Sequence, residues 1–257
     1  MSGRRILLLG HPVEHSLSPA FQQAAFDSIG LPVRYEAMDV APADLARVVA
    51  ELRADPLVMG ANVTVPHKEK IAPLLDSLTD DAVQIGAVNT IKIKKNGHMT
   101  GFNTDHYGFA KSLEEWLPSL DKTALVLGTG GASKAIIYVL KALGFVVAQV
   151  SRSLSEHCMT YDDLNEKIMQ QYQLIVNCTP LGTHPDTLAI PPIPYQFIDE
   201  QHVLYDLIYN PEKTKFLQEA ERQGATIMNG KSMLQEQALK SLRLKSAAPV
   251  LFFRAPV

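Results

Sequence analysis

The feature that most constrains this chain is a strand-sized apolar run that stops in a glycine turn and restarts as a helix. Thr123–Leu127 leads into Gly128-Thr129-Gly130-Gly131-Ala132-Ser133, and a helix pattern then runs to Leu143, with Gly144 as its stop. Glycines at such a turn permit a sharp change of direction and let the backbone approach a phosphate. The helix start adds unpaired N–H groups and a favourable dipole. The third position of the dinucleotide fingerprint is Ser133 rather than Gly or Ala, so the match is imperfect. The next strand, Phe145–Val150, leads into Ser151-Arg152-Ser153. An NAD site ordinarily carries a carboxylate there for the ribose hydroxyls. Arg152 instead suits a 2′-phosphate, which favours NADP over NAD, although Glu156 weakens the basic character and a solvated surface arginine is the plainer reading.

Around this unit, strand-like and helix-like segments alternate from end to end, the pattern of an α/β protein. Arg5–Leu9, Arg34–Val40, Val58–Val65, Ala87–Lys94 and His98–Gly101 read as strands, with helices at Pro19–Ile29, Ala43–Arg53 and His67–Leu78. Lys94–Gly97 reads as a hairpin turn with Asn-Gly at its tip. A helix-like stretch from Asp105 ends near Pro118. Leu174–Cys178, Val203–Ile208 and Ala225–Met228 continue the strand series, and the proline-rich stretch from Thr183 to Pro194 reads as loop. The expected organisation is a mixed-sheet domain over 1–103, a Rossmann-like dinucleotide-binding domain over 104–231, and a helix and tail over 232–257 that returns to the first domain.

Composition narrows the function classes. A net charge of −3 gives no pull toward nucleic acid or an anionic membrane, and no apolar run reaches membrane-span length. Two cysteines are too few for a disulfide framework or a structural zinc site, and Cys178 reads as core. None of the eight histidines sits in a metal-ligand spacing, so no metal is expected, and all eight read as loop or surface residues. A cytoplasmic protein is expected, as a monomer or homodimer.

The first domain carries polar residues where strands end. Ser16-Leu-Ser18-Pro19 closes a loop and opens a helix, with Ser18 a good N-cap. Capping alone accounts for one serine; two hydroxyls beside open helix N–H groups also form an anion cradle, and both readings stand. Asn62-Val-Thr64-Val-Pro66-His67-Lys68, Asn89-Thr90 and Asn103-Thr104-Asp105 end three strands with amide, hydroxyl, ammonium and carboxylate groups. Each alone reads as turn chemistry. Together they suit a polyhydroxylated ligand and proton transfer by Lys68 and Asp105.

In order along the chain, these segments resemble the shikimate dehydrogenase family: Gly10-x-Pro12-x-x-His15-Ser16-x-Ser18-Pro19, Asn62-Val-Thr64-x-Pro66-x-Lys68, Gly86-Ala-Val-Asn89-Thr90, Gly101-x-Asn103-Thr104-Asp105, Gly128-x-Gly130-Gly131-Ala132, Asp206-x-x-Tyr209-x-Pro211-x-x-Thr214 and Gly230-x-x-Met233-Leu234-x-x-Gln237-Ala238. The resemblance implies NADPH-dependent reduction of 3-dehydroshikimate to shikimate, with Lys68 and Asp105 as the catalytic pair. It implies that Ser16 and Ser18 hold the substrate carboxylate. Asn62, Thr64, Asn89, Asp105 and Gln237 would then contact ring hydroxyls, and Tyr209 would line the pocket. Ser151, Arg152, Ser153, Thr179, Leu207 and Gly230 would join the Gly128–Ala132 turn around NADP. Departures are Gln22-Gln23, where the family often has His-Asn, and Ser241 and Leu244, which stand where the last helix often carries Phe and Trp. The apolar tail Pro249–Phe253 has no evident counterpart. The rival readings are a quinate/shikimate dehydrogenase using NAD or NADP, and a non-catalytic nucleotide-binding regulator of the same fold.

Overall fold

The computed structural model describes residues 3–14, 16, 18–154 and 157–245. His15, Glu156 and the tail Pro249–Phe253 lie outside the described residues. The chain divides into two units, one running up to Tyr107 and resuming at Gln235, the other Gly108–Leu234.

The first unit opens with β1 (Arg5–Gly10), α1 (Ser18–Ser28), β2 (Arg34–Asp39), α2 (Leu45–Ala54) and β3 (Val58–Val63). It continues with β4 (Ser77–Leu78), α3 (Asp80–Ile85), β5 (Thr90–Ile93) and β6 (Met99–Phe102). Its sheet has the order β2-β1-β3-β5-β6-β4 and is mixed: β1 pairs in parallel with β2 and β3, while β3–β5 and β5–β6 are antiparallel. β1 is apolar from Ile6 to Leu9 because both of its faces are covered there. Leu7 and Leu9 join one core with Val48, Val49 and Leu52 of α2, whereas Ile6 and Leu8 join another with Phe26 of α1. The Asn-Gly hairpin closes as expected, with the Gly97 N–H donating to the Lys94 carbonyl and a φ of 79° at Gly97.

Residues 67–78 do not form the helix that their pattern predicts. Turns lead to a 3-10 segment at Ala72–Leu74 and then to β4, and the helix in this region is α3. Pro73 is the physical cause. It lacks the N–H for an i→i−4 bond, its ring clashes with the carbonyl four residues back, and it disfavours helical backbone at Ala72.

Next come α4 (Asp105–Leu113), β7 (Thr123–Leu127), α5 (Gly131–Ala142), β8 (Val146–Ser151), β9 (Met159–Thr160), α6 (Glu166–Gln171) and β10 (Leu174–Asn177). β11 (Val203–Asp206), α7 (Lys215–Arg222), β12 (Thr226–Met228) and α8 (Lys231–Lys245) follow. The division between units falls inside α4 and α8. The sheet of the second unit is wholly parallel, in the order β12-β11-β10-β7-β8-β9. That is the doubly wound order, with its switch point between β7 and β10, where ligands bind in such folds. Ala124 and Val126 face one core and Leu125 and Leu127 the other, so α-helical cover on both faces matches the continuous apolar strand. No helix of the described residues is long and apolar enough to cross a membrane.

Candidate active site

In the first unit, three strand ends converge on one ion pair. Lys68 Nζ lies 2.6 Å from Asp105 Oδ2, with the two side chains 15% and 8% exposed. Both are tied to the sheet. The Lys68 carbonyl accepts from the Val88 N–H at 2.7 Å, and the Asp105 N–H donates to Asn103 Oδ1 at 3.0 Å. Asn89 Nδ2 donates to the other carboxylate oxygen at 2.7 Å, and Asn89 Oδ1 accepts from the Thr104 N–H at 2.7 Å. The carboxylate is therefore held on both oxygens, one by a charge and one by an amide. A low-dielectric, hydrogen-bonded setting of this kind fixes the lysine head group far better than a surface pair would.

The network continues inward. Thr104 Oγ1 donates to Gln237 Oε1 at 3.3 Å, so the returning stretch of α8 meets the strand ends. The Asn62 amide donates to Thr90 Oγ1 at 3.2 Å and to Ser241 Oγ at 2.8 Å. Thr64 sits one residue beyond β3, against Gly10, where an added Cβ would clash with Thr64 Cγ2. Glycine at position 10 is thus required by close packing. Ser18 is the first residue of α1 rather than its cap; Ser16 Oγ accepts from the Ser18 N–H at 3.3 Å. The capping oxygen comes from the earlier serine because it is placed just outside the helix, facing the open N–H groups. Tyr209 belongs to the second unit, between β11 and α7.

Two histidines depart from the surface reading. His67 is fully buried, its Nε2 2.7 Å from the Val40 carbonyl, and His202 is buried with Nδ1 2.7 Å from Asp199. The backbone carbonyl and the carboxylate give each ring a polar partner inside the protein, which burial requires. Sequence reasoning also missed Lys245. It is buried in the first unit and donates to Asn62 Oδ1 at 2.6 Å. Burial pushes its ammonium well below the usual lysine range. The helical period held the signal: Ala238, Ser241, Leu242 and Lys245 share one buried face of α8.

In the second unit, the Gly128–Ala132 turn lies at the switch point. Gly128 has a φ of 105°, a left-handed backbone that favours glycine. Gly130 caps α5 with no side-chain hydrogen bond, and a Cβ built on it meets nothing within 4 Å. Open space beside uncapped N–H groups fits a pyrophosphate. Ser133 is buried and donates to the Gly130 carbonyl at 2.7 Å, so the imperfect fingerprint position braces the turn from within. Ser151 Oγ accepts from the Ser153 N–H at 3.0 Å, leaving Arg152 exposed at the tip. Thr179 follows β10, 3.2 Å from where a Gly128 Cβ would stand. Gly230 is buried against Leu207, whose carbonyl oxygen an added Cβ would strike. Asp206 is buried and accepts from Asn177 Nδ2 and the Ile208 N–H, both at 3.0 Å, and from Thr214. Burial pushes its carboxyl up to about 6 despite those donors.

Solved structures of known proteins share this architecture. The chain is 37% identical to shikimate dehydrogenase from Aquifex aeolicus, with a TM-score of 0.87 over 97% of this chain and 94% of that one. It is 34% identical to shikimate 5-dehydrogenase from Thermus thermophilus in complex with NADP(H) and shikimate, with a TM-score of 0.83 over 95% and 94% of the two chains. Sheet order, glycine turn and lysine–carboxylate pair define the two-unit α/β class to which pyridine-nucleotide dehydrogenases belong. Residues 8–91 match the shikimate dehydrogenase substrate binding domain, and 92% of the chain aligns at 38% identity with 89% of the NADP(+) shikimate dehydrogenase of Methanococcus maripaludis. The chain belongs to the shikimate dehydrogenase family.

Proposed function

We propose that this chain is an NADP-dependent oxidoreductase acting on a CH–OH group, and that it interconverts 3-dehydroshikimate and shikimate in aromatic amino acid biosynthesis. Within this family, the observation that carries the reading is the Lys68–Asp105 contact at 2.6 Å, set in a buried polar network. Lys68 takes the proton of the reacting hydroxyl in the oxidative direction and returns it in reduction. Asp105, anchored by Asn89 and the Asn103 side chain, orients Lys68 and accepts from a ring hydroxyl. Ser16 and Ser18 hold the substrate carboxylate at the start of α1, and Asn62, Thr64, Asn89 and Gln237 read the hydroxyls. Bound NADP supplies the hydride chemistry. Gly128, Thr129, Gly130, Gly131 and Ala132 would take its pyrophosphate, and Ser151, Arg152 and Ser153 its 2′-phosphate. Thr179, Leu207 and Gly230 complete that surface. Cys158 and Cys178 are not joined in a disulfide, which suits a cytoplasmic protein, and we take it to be a monomer or homodimer.

Steady-state assays of shikimate and quinate, each with NADP and with NAD, test this. The highest kcat/KM is expected for shikimate with NADP. Preference for quinate with NAD would replace the reading with the quinate alternative, and no turnover of either acid would remove it.

A further inference from the structure

We propose that Lys245 is a positioning residue for substrate recognition, acting through Asn62, whose carboxamide it locks in one orientation. The inference rests on the proposed role of Asn62 at a ring hydroxyl. A carboxamide has two ends of similar shape, and its neighbours decide which end is the acceptor. Around Asn62, the hydroxyls of Tyr35, Thr90 and Ser241 can each donate or accept, so they do not decide. Two groups do. The Asn89 carbonyl, 3.3 Å from Nδ2, only accepts and so fixes which end carries the N–H groups, and the Lys245 amino group donates to the opposite end, Oδ1, at 2.6 Å. The lysine contact is the shorter one, 2.6 against 3.3 Å.

The same contacts leave the amide fully used. Oδ1 takes Tyr35 Oη and Lys245 Nζ, and Nδ2 faces Asn89, Thr90 and Ser241. A ring hydroxyl that engages Asn62 must therefore take over one position. The protein hydroxyls can rotate and yield. Lys245 holds, because Asn62 Oδ1 is its one hydrogen-bond acceptor among the described residues, and a buried donor without an acceptor is costly. The chain of contacts then runs from Asn62 through Thr90 and Thr104 to Asn89 and Asp105, with steps of 3.2, 3.3, 3.0 and 2.7 Å between them. Lys245 thus anchors the far end of the network whose near end holds Lys68.

The test is a double-mutant cycle of Lys245→Met and Asn62→Ala, read as KM for shikimate, kcat and KM for NADP. Lys245→Met keeps the length and the buried stem but removes the donor. On the wild-type background, KM for shikimate is expected to rise about tenfold, the worth of one buried hydrogen bond, with kcat and the NADP KM nearly unchanged. On the Asn62→Ala background, the same change is expected to do nothing further. Lys245→Gln, which retains a donor, should recover part of the loss. An unchanged shikimate KM, or an equal rise on both backgrounds, overturns the inference while leaving the enzyme reading intact. A wild-type protein inactive on shikimate overturns both. If Lys245→Met fails to fold, Lys245→Gln enters the cycle in its place, and its smaller rise in shikimate KM is expected only where Asn62 is present. An effect of Lys245→Gln equal on both backgrounds again overturns the inference.

Discussion

At the scale of single residues, the two candidate sites carry different physics. Lys68 is nearly enclosed and paired, whereas Arg152 is exposed. Lys68→Ala removes the group that moves the proton but leaves the Ser16, Asn89 and Gln237 contacts in place. Turnover should fall about a hundredfold to ten-thousandfold, with shikimate binding retained in isothermal titration calorimetry. Near-normal turnover would take Lys68 out of the mechanism. Arg152→Ala should raise the NADP KM about tenfold or more, since a charge-assisted phosphate contact is lost, and leave the NAD KM almost where it was. Parallel changes for both cofactors would show that the arginine does not read the phosphate.

At the scale of elements, glycines separate fold from ligand. Gly230 sits where a Cβ would strike the Leu207 carbonyl, and the backbone there has no flexible end to move aside. Gly230→Ala should cost about 3 kcal/mol in urea unfolding, as overpacking of a buried site does. Gly130→Ala meets open space, so stability should change by about 0.5 kcal/mol at most while NADP binds more weakly. Equal melting midpoints for the two variants would show that the two glycines do not differ in this way. The same contrast explains what is legible in the sequence. β7 and the turn after it are readable because a continuous apolar run followed by glycines has one structural outcome. Asn89 and Asp105 are readable because polar residues gathered at strand ends, here just before β5 and just after β6, have few other uses together. The stretch 67–78 misleads because its apolar spacing is helical while Pro73 forbids the hydrogen bonds, a local veto that periodicity does not register. Helices α3 and α6 escape because six residues are too few to display a period. Lys245 escapes because a lysine on the core face of a helix contradicts the usual preference, and only its tertiary partner, Asn62, makes it tolerable.

At the scale of the whole molecule, folding stability follows pH through the ionisable groups that folding buries or pairs. The carboxylates of Asp55, Asp76 and Asp163 lie below their ordinary range, chiefly through the Arg5 hydrogen bond, the Met99 N–H and the Thr160 N–H respectively. Their contribution is present near neutrality and fades as acid protonates them. Lys245 works on the alkaline side: its folded value is lowered, so between that value and about 10.4 the unfolded chain holds a proton that the folded one lacks, and stability rises with pH through that window. Asp206 has the opposite sign to the other carboxylates. Burial raises its folded value to about 6, from an ordinary 3.8, so between those values the folded protein holds the extra proton. Stability must then fall as pH rises through that window, by about 3 kcal/mol for a shift of roughly two units. Asp206→Asn cannot titrate and keeps an acceptor for Thr214 or Asn177, though it loses others and starts from a lower baseline. Urea unfolding of both proteins across pH 4 to 7 isolates the group, because every other titration is common to the two and cancels. The stability of the variant relative to the wild type should improve by about 3 kcal/mol from the acid to the neutral end. A difference that stays constant with pH would mean that the Asn177, Ile208 and Thr214 donors fully offset burial, leaving Asp206 an ordinary carboxylate.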